Sequence, residues 1–336
     1  MRYIEGDILT LDGFNKGYLG FDQNGTMESG NGPPPEKPLV TGLIVPTFVN
    51  THIHVGDSFI REKNVKLPRD VEELVAPPNG LKHKLLNKAS EKEIIGGMKK
   101  SIQEMKKSGT AYFCDFREGG IDGVYSLKKA LADSNITSLI LSRPRQMKYD
   151  KNEIDLLLEN SEGIGLSSIS DWNYSDAKDI AKHTKQKHKI FALHASEVMR
   201  EDIDLILDLK PDFLIHMIAA TKSDLIRVED EHIPIVLCPR SNAFFNLKTN
   251  LELMKEIGIE LMLGTDNAMI NSPNVLEELI YLDNTSNIFS IQELLKMITY
   301  NPRKALNLDD CIHGLNSACN FVVLDRESLK PLYISK

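Results

Sequence analysis

Leu43-Ile-Val-Pro-Thr-Phe-Val-Asn-Thr-His52-Ile-His54-Val55 is an apolar run that ends in two histidines. It reads as a buried β-strand. Alternate side chains of a strand share a face, so His52 and His54 point the same way and Ile53 turns into the opposite packing layer. Two imidazoles at i and i+2 can grip one metal ion, although His-x-His also arises by chance. The reading turns on whether the rest of the chain brings further ligands to the same place.

Beyond His54 a regular alternation begins. Apolar β-type runs occur at 43–52, 110–116, 136–142, 163–168, 189–194, 212–216, 233–238 and 259–265. Helical patterns fall at 90–108, 122–134, 151–160, 173–187, 199–209, 222–230 and 249–257, with a further pair near 274–283 and 290–300. Ile136-Thr-Ser-Leu-Ile-Leu141 and Ile233-Pro-Ile-Val-Leu237 are nearly all apolar, as strands covered on both faces are. Eight such units indicate an α/β fold of the (β/α)8 TIM-like barrel type, with a doubly wound open sheet as the competitor. No GxGxxG or P-loop follows the first strand, which weakens the competitor.

The stretch 56–88 is a long charged insert containing Pro77-Pro78-Asn79-Gly80. On a barrel it would lie over the C-terminal mouth and shape substrate access. Residues 1–45 are turn-rich, and a strand pattern returns at Asn320-Phe-Val-Val-Leu-Asp325. The expected organisation is a barrel over 46–313 and a small accessory β domain built from 1–45 plus 314–336.

Composition narrows the function classes. The 336 residues are 41% hydrophobic with a net charge of −8, which suits one large domain or a large domain with a small companion. The sequence pI of about 5.7 gives no bulk basic signature of nucleic-acid binding. Cys114, Cys238, Cys311 and Cys319 form no CxxC pair. The pattern suggests neither a disulfide framework nor a cysteine zinc site, and a reducing compartment is expected. No apolar run approaches the roughly 18 residues of a membrane span. The opening Met1-Arg-Tyr-Ile-Glu-Gly-Asp7 lacks the apolar core of a signal peptide, so the expected location is cytoplasmic.

The strand ends carry the chemistry. The first strand ends in His52 and His54, the fifth in His194, the sixth in His216 and the eighth in Asp266. In a parallel barrel all these ends meet at one face. Singly, a histidine there can be a satisfied core residue and an aspartate a helix N-cap. Jointly they are hard to explain that way. Three neutral imidazoles and one carboxylate suit a divalent ion such as Zn2+, with Fe2+ or Mn2+ as alternatives. Glu197, three residues after His194, reads either as a first-turn helix acid or as a proton shuttle facing the same cavity.

These pieces resemble the amidohydrolase superfamily, and within it the aminohydrolase branch that includes adenosine, cytosine and guanine deaminases and the S-adenosylhomocysteine and chlorotriazine hydrolases. The matching segments are Pro46–His54, His194-Ala-Ser-Glu197, His216, Cys238-Pro-Arg-Ser-Asn242, Gly264-Thr-Asp266 and Thr299–Leu306. The resemblance covers nearly the whole chain. It implies a barrel plus β-sandwich fold, with the accessory β domain as the sandwich. It also implies metal ligation by His52, His54, His194 and Asp266, a water positioned or deprotonated by His216, and protonation of a substrate ring nitrogen by Glu197. Asp266 would share in handling the water's protons. Binuclear members use a bridging lysine or glutamate near strand four. Here that strand reads Gly163-Ile-Gly-Leu-Ser-Ser168, with Lys178 well into the next helix, so one metal ion is expected. The tail departs from the family pattern at Ala318-Cys-Asn-Phe321.

The implied reaction is hydrolytic deamination of an aminated purine, pyrimidine, pterin or triazine by a metal-activated water. The alternatives are hydrolysis of an amide or of another C–N or C–Cl bond at the same site, and a metal-free barrel acting as a binding or assembly module. Arg117, Arg143, Arg145 and Arg240 follow strands two, three and seven. Arg117, Arg143 and Arg240, with Asn242, are the expected substrate-binding residues, and guanidinium groups there suit an anionic substituent. Trp172, Phe244 and Phe245 could stack on a ring, though barrel packing is the commoner use of aromatics. A small molecule is the expected partner. Neither nucleic acid nor membrane is expected, and a homo-oligomer is compatible with the sequence.

Overall fold

The opening run 43–55 serves two sheets. In the computed structural model, which describes residues 1–22, 27–63, 65–308, 311, 315 and 320–335, it divides at Thr47. Four strands come first: β1 (Arg2–Leu9), β2 (Phe14–Phe21), β3 (Met27–Asn31) and β4 (Thr41–Pro46). β5 (Phe48–His54) then starts a parallel series. It continues through β6 (Thr110–Arg117), β7 (Thr137–Ser142), β8 (Gly163–Leu166), β9 (Ile190–Ala195), β10 (Phe213–His216), β11 (Ile235–Leu237), β12 (Leu261–Leu263) and the two-residue β13 (Asp266–Asn267). β14 (Phe321–Leu324) and β15 (Pro331–Ile334) end the chain.

The parallel series forms one curled nine-stranded sheet in the order β12-β11-β10-β9-β8-β7-β6-β5-β13. β12 and β13 are two pieces of the expected eighth strand. The first pairs with β11 and the second with β5, so the ends of the series meet through Gly264-Thr265. The Gly264 N–H donates to Leu237 O and the Thr265 N–H to His52 O, both at 2.9 Å. A Cβ on Gly264 would lie 2.7 Å from the His52 Cβ and carbonyl oxygen. Glycine is what allows the eighth strand to cross His52 so closely. This curled arrangement is of the TIM-like kind. All seven residues of β5 are buried, as expected for a strand covered on both faces.

The chain ends meet in a second, six-stranded sheet ordered β15-β14-β4-β1-β2-β3. Among the described residues this is one sheet, so the two-layered sandwich expected from sequence is not seen. Arg303 fixes the joint between the sheets. It is fully buried, and its Nη1 donates to Thr47 O at 2.8 Å and to Thr299 O at 3.0 Å. The proposed domain limit at 313/314 and residues 318 and 319 of the tail motif lie outside the described residues.

The helices follow the sequence patterns within a few residues; Glu91–Lys107, for example, opens on a Ser90–Glu93 capping box. The insert is more structured than its composition suggests. It contains a 3-10 segment at Val55–Lys63 and helices at Val71–Leu74 and Leu81–Lys88. Its order comes from tertiary burial: Phe59, Ile60 and Leu74 pack with Phe245 and Met269. Cys114 and Cys238 are free and buried. Cys311 is disulfide-bonded, where the cysteine pattern suggests no disulfide framework. No described helix is long and apolar enough to cross a membrane.

Candidate active site

Simple alternation does not by itself aim the histidines. Val49 packs with Phe116, Leu141, Ala192, Ile215 and Met262 in one apolar layer fed by alternate residues of neighbouring strands. His52 and His54 have the opposite parity to Val49. The β5–β6 register shifts between Asn50 and Ile53, and such an irregularity exchanges the two faces. The His52 ring then rests on Phe116, with centroids 4.4 Å apart. His216 is likewise out of parity with Phe213 and Ile215. Its backbone is left-handed, at φ 75°, which re-aims the side chain. Asp266 is also left-handed, at φ 56°. Such conformations are sparse for residues other than glycine and gather at functional sites.

The strand ends converge. One donor atom from each of His52, His194, His216 and Asp266 lies within 4.8 Å of the others. His52 Nε2 is 3.2 Å from His194 Nε2 and 3.3 Å from Asp266 Oδ1. His54 Nε2 stands 3.7 Å from the same Asp266 oxygen. The tightest group therefore contains His216, whereas the sequence reading had placed His54 among the ligands. His194 Nδ1–H donates to Leu166 O at 2.8 Å, and His54 Nδ1–H points at Phe116 O at 3.0 Å. These bonds leave both Nε2 atoms with a free lone pair facing the cluster. Asp266 is oriented by Ser241 Oγ–H at 2.5 Å and by Asn267 Nδ2–H at 2.9 Å.

Burial keeps the four imidazoles neutral. The His54 pKa falls to about 3, pressed down by burial and then by Lys82, and those of His52, His194 and His216 also fall. Asp266 stays well below the usual carboxylate range: burial opposes this, and its hydrogen bond with His52 and the neighbouring histidines outweigh it. Neutral imidazoles beside an ionised carboxylate are the donor set of a divalent transition-metal site. Two ring nitrogens facing each other at 3.2 Å repel unless a proton or a cation lies between them. Two nitrogens bound to one tetrahedral Zn2+ at about 2.0–2.1 Å would stand roughly 3.3 Å apart. The residues present thus fit a single metal ion.

Glu197 lies beside this group, its Oε1 3.7 Å from His216 Nε2. Burial, followed by the charges of Asp266, Asp171 and Glu201, pushes its pKa up to about 8. It is a carboxyl that can hold a proton near neutrality. Glu201 holds the surrounding loops by accepting from Ser170 N at 2.9 Å and Ser196 N at 2.8 Å. His54, His194, His216, Asp266 and Glu197 line a cavity of about 400 Å³, roofed by insert residues that include Arg69, Val71, Val75, Pro77, Lys82 and His83. That size lies within the range of small-molecule sites.

The expected substrate-binding residues separate. Arg143 lines the cavity, and its ion-pair contact is Glu118 at 3.9 Å. Arg117 does not line it. It is buried against Gly56 and paired with Asp115 at 3.4 Å and Glu118 at 2.6 Å. Arg240 is spent on Glu277, Glu278 and two backbone carbonyls, and Asn242 bonds Thr249 and faces a different surface depression. Trp172 is buried, with its indole N–H on Ser167 Oγ at 3.0 Å. Phe245 lines the cavity, while Phe244 does not. Sequence reading missed Lys82, Glu118, Asp171 and Asn267 as wall residues. Asn267 and Glu118 directly follow the strand-end residues Asp266 and Arg117, and that adjacency was the available signal.

An amidohydrolase family model matches residues 43–312. An uncharacterized protein of Methanocaldococcus jannaschii is 35% identical over 290 residues, covering 80% of this chain and 74% of its own. A 5-methylthioadenosine/S-adenosylhomocysteine deaminase of Pyrococcus abyssi is 21% identical over 328 residues, covering 84% of this chain and 74% of the relative. Among solved structures, an adenosine deaminase from Xanthomonas campestris with bound zinc superposes with a TM-score of 0.74 at 16% identity, covering 97% of this chain and 85% of that one.

Proposed function

Because the chain belongs to the amidohydrolase family, we propose that it is a metal-dependent hydrolase that deaminates an aminated heterocycle of purine, pyrimidine, pterin or triazine type. The observation that carries this reading is the juxtaposition of the His/Asp cluster with Glu197 at one wall of a small-molecule cavity. The deaminase relatives support the choice of reaction.

In this reading His52, His54, His194 and Asp266 hold one divalent ion, with Zn2+ the first choice. A divalent ion bound there supplies Lewis acidity and lowers the pKa of a bound water toward roughly 7. The chain's own groups move the protons. His216 Nε2, neutral and buried, takes a proton from the attacking water. Asp266 shares in handling the water's protons. Glu197 Oε1 donates to the ring nitrogen next to the carbon under attack, and ammonia leaves. Arg143 sits where it can meet an anionic substituent, and its guanidinium suits a carboxylate or phosphate. Residues 46–313 form the catalytic unit in this scheme, and 1–45 with 314–336 form its accessory part.

The test is ammonia release by metal-loaded protein across aminopurines, aminopyrimidines, aminotriazines and pterins. Turnover of at least one, abolished by a chelator, is expected. Turnover confined to amides, lactams or chlorinated rings would replace deamination by the neighbouring hydrolytic reaction. Protein without stoichiometric metal would indicate a binding scaffold.

A further inference from the structure

The insert carries one lysine that the scheme above does not use. Lys82 is the second residue of helix Leu81–Lys88, and it is only 2% exposed. Its Nζ lies 2.5 Å from Glu118 Oε1, 3.0 Å from Asn267 Oδ1 and 3.5 Å from Asp57 Oδ2. Two of these partners each touch a different member of the His/Asp site. Glu118 Oε1 is 3.0 Å from His54 Nδ1, and Asn267 Nδ2–H donates to Asp266 Oδ1 at 2.9 Å. His54 and Asp266 stand on the two strands that pair where the ends of the series meet, with Asn267 opposite His54 in the register.

An ammonium buried without partners is costly, so a lysine stays in such a place only when paired and hydrogen-bonded. Here Glu118 and Asn267 belong to the cavity wall contributed by the strand ends, whereas the lysine, like Asp57, belongs to the insert. Groups that orient metal ligands from behind commonly change metal affinity 10- to 100-fold when altered.

We propose that Lys82 is a positioning residue that latches the 55–88 insert onto Glu118 and Asn267, orients His54 and Asp266 through them, and so couples the closed insert to cation binding at the His/Asp cluster. This rests on reading that cluster as a metal site. Coupling of this kind is reciprocal: if the latch strengthens metal binding, metal binding must stabilise the latched helix by the same factor.

The experiment uses full-length protein stripped of metal. Zn2+ affinity is measured by competition with a chromophoric chelator, and amide hydrogen exchange over 81–88 is followed with and without Zn2+. In the wild type, Zn2+ should slow exchange over 81–88. Lys82→Met should bind Zn2+ about 10- to 100-fold more weakly and lose that protection, and Lys82→Arg, which keeps the charge, should recover part of both. A lysine that merely neutralised buried acids would lower the melting temperature on removal while leaving Zn2+ affinity and the zinc-dependent protection intact, and that result would overturn the proposal. If Lys82→Met does not fold, the wild-type exchange decides: zinc-dependent protection at 81–88 supports the latch, and its absence refutes it. Stoichiometric Zn2+ binding without protection removes the latch alone. Failure of the wild type to bind Zn2+ removes the latch and the metal reading together.

Discussion

Glu118→Gln is the most informative single perturbation, because Glu118 is the hub of a buried charge network. Its carboxylate meets Lys82 at 2.5 Å, Arg117 at 2.6 Å, His54 at 3.0 Å and Arg143 at 3.9 Å. Around it Lys82, Arg117 and Arg143 face the acids Asp57, Asp115 and Glu118, and burial pushes the pKa of the first two acids upward. The Glu118 carboxyl stays well below the usual range. Burial opposes that, and Lys82, His54 and Arg117 outweigh it. A glutamine keeps the shape but removes the one acid of the three that is held well below the usual range, and its amide N–H groups point donors at the donors of Lys82 and Arg117. Breaking one partner of a buried pair costs about 3–5 kcal/mol, because the remaining charge is left uncompensated. That is a large share of the roughly 5–15 kcal/mol by which a domain is usually stable. The assay is urea unfolding of metal-free protein, comparing wild type, Glu118→Gln and a surface control. Lys222–Glu256, a 2.9 Å pair with both side chains more than half exposed, gives the control, and Glu256→Gln should leave the midpoint unchanged. A loss below about 1 kcal/mol for Glu118→Gln would refute the view that this network holds the cavity wall. The cost expected is that of leaving Lys82 and Arg117 with only their more distant acids, Asp57 and Asp115, which is distinct from the net worth of the whole network.

Further outcomes follow from the same geometry. His54→Ala should lose stoichiometric metal, whereas His216→Ala should keep it and lose turnover; metal analysis with the reverse pattern would exchange their roles. Asp57, buried and only partly offset by Lys82, has its pKa raised to about 7. Because the folded value lies above the unfolded one near 3.9, its contribution is fully present below about pH 4 and is lost as pH rises toward 7. Asp57→Asn should therefore flatten the pH dependence of metal-free stability between those limits, where each unit of displacement is worth about 1.4 kcal/mol. Once a substrate is in hand, Arg143→Ala should raise KM for an anionic substrate. Arg240→Ala should leave KM alone and lower stability, since Arg240 serves Glu277 and Glu278.

Much of the site was legible because it depends on where apolar runs stop. A parallel sheet brings every C-terminal strand end to one place, so His52, His54, His194, His216 and Asp266 could be grouped without coordinates. What was hidden has physical causes. The inward aim of His52 and His54 depends on a register shift in β5, and that of His216 on a left-handed backbone; neither alters composition or period. The division of the opening run between two sheets depends on Arg303, 256 residues away from Thr47. The insert folds by burying Phe59 and Leu74 against distant loops, so its four-residue helix has no readable period. Lys82 lies in the charged insert 56–88, and a charge carries no mark of burial in the sequence. Arg117 and Arg240 stand near strand ends as expected, but only side-chain direction shows that acids already hold them.

The central claim is hydrolytic deamination at the His/Asp cluster. It is tested most directly by following ammonia from zinc-reconstituted protein against a panel of aminated purines, pyrimidines, triazines and pterins, with and without chelator and beside His194→Ala. The account predicts ammonia from at least one heterocycle, lost on chelation, restored by Zn2+ and absent in the variant. Ammonia from none of them, with stoichiometric metal in place, would contradict it.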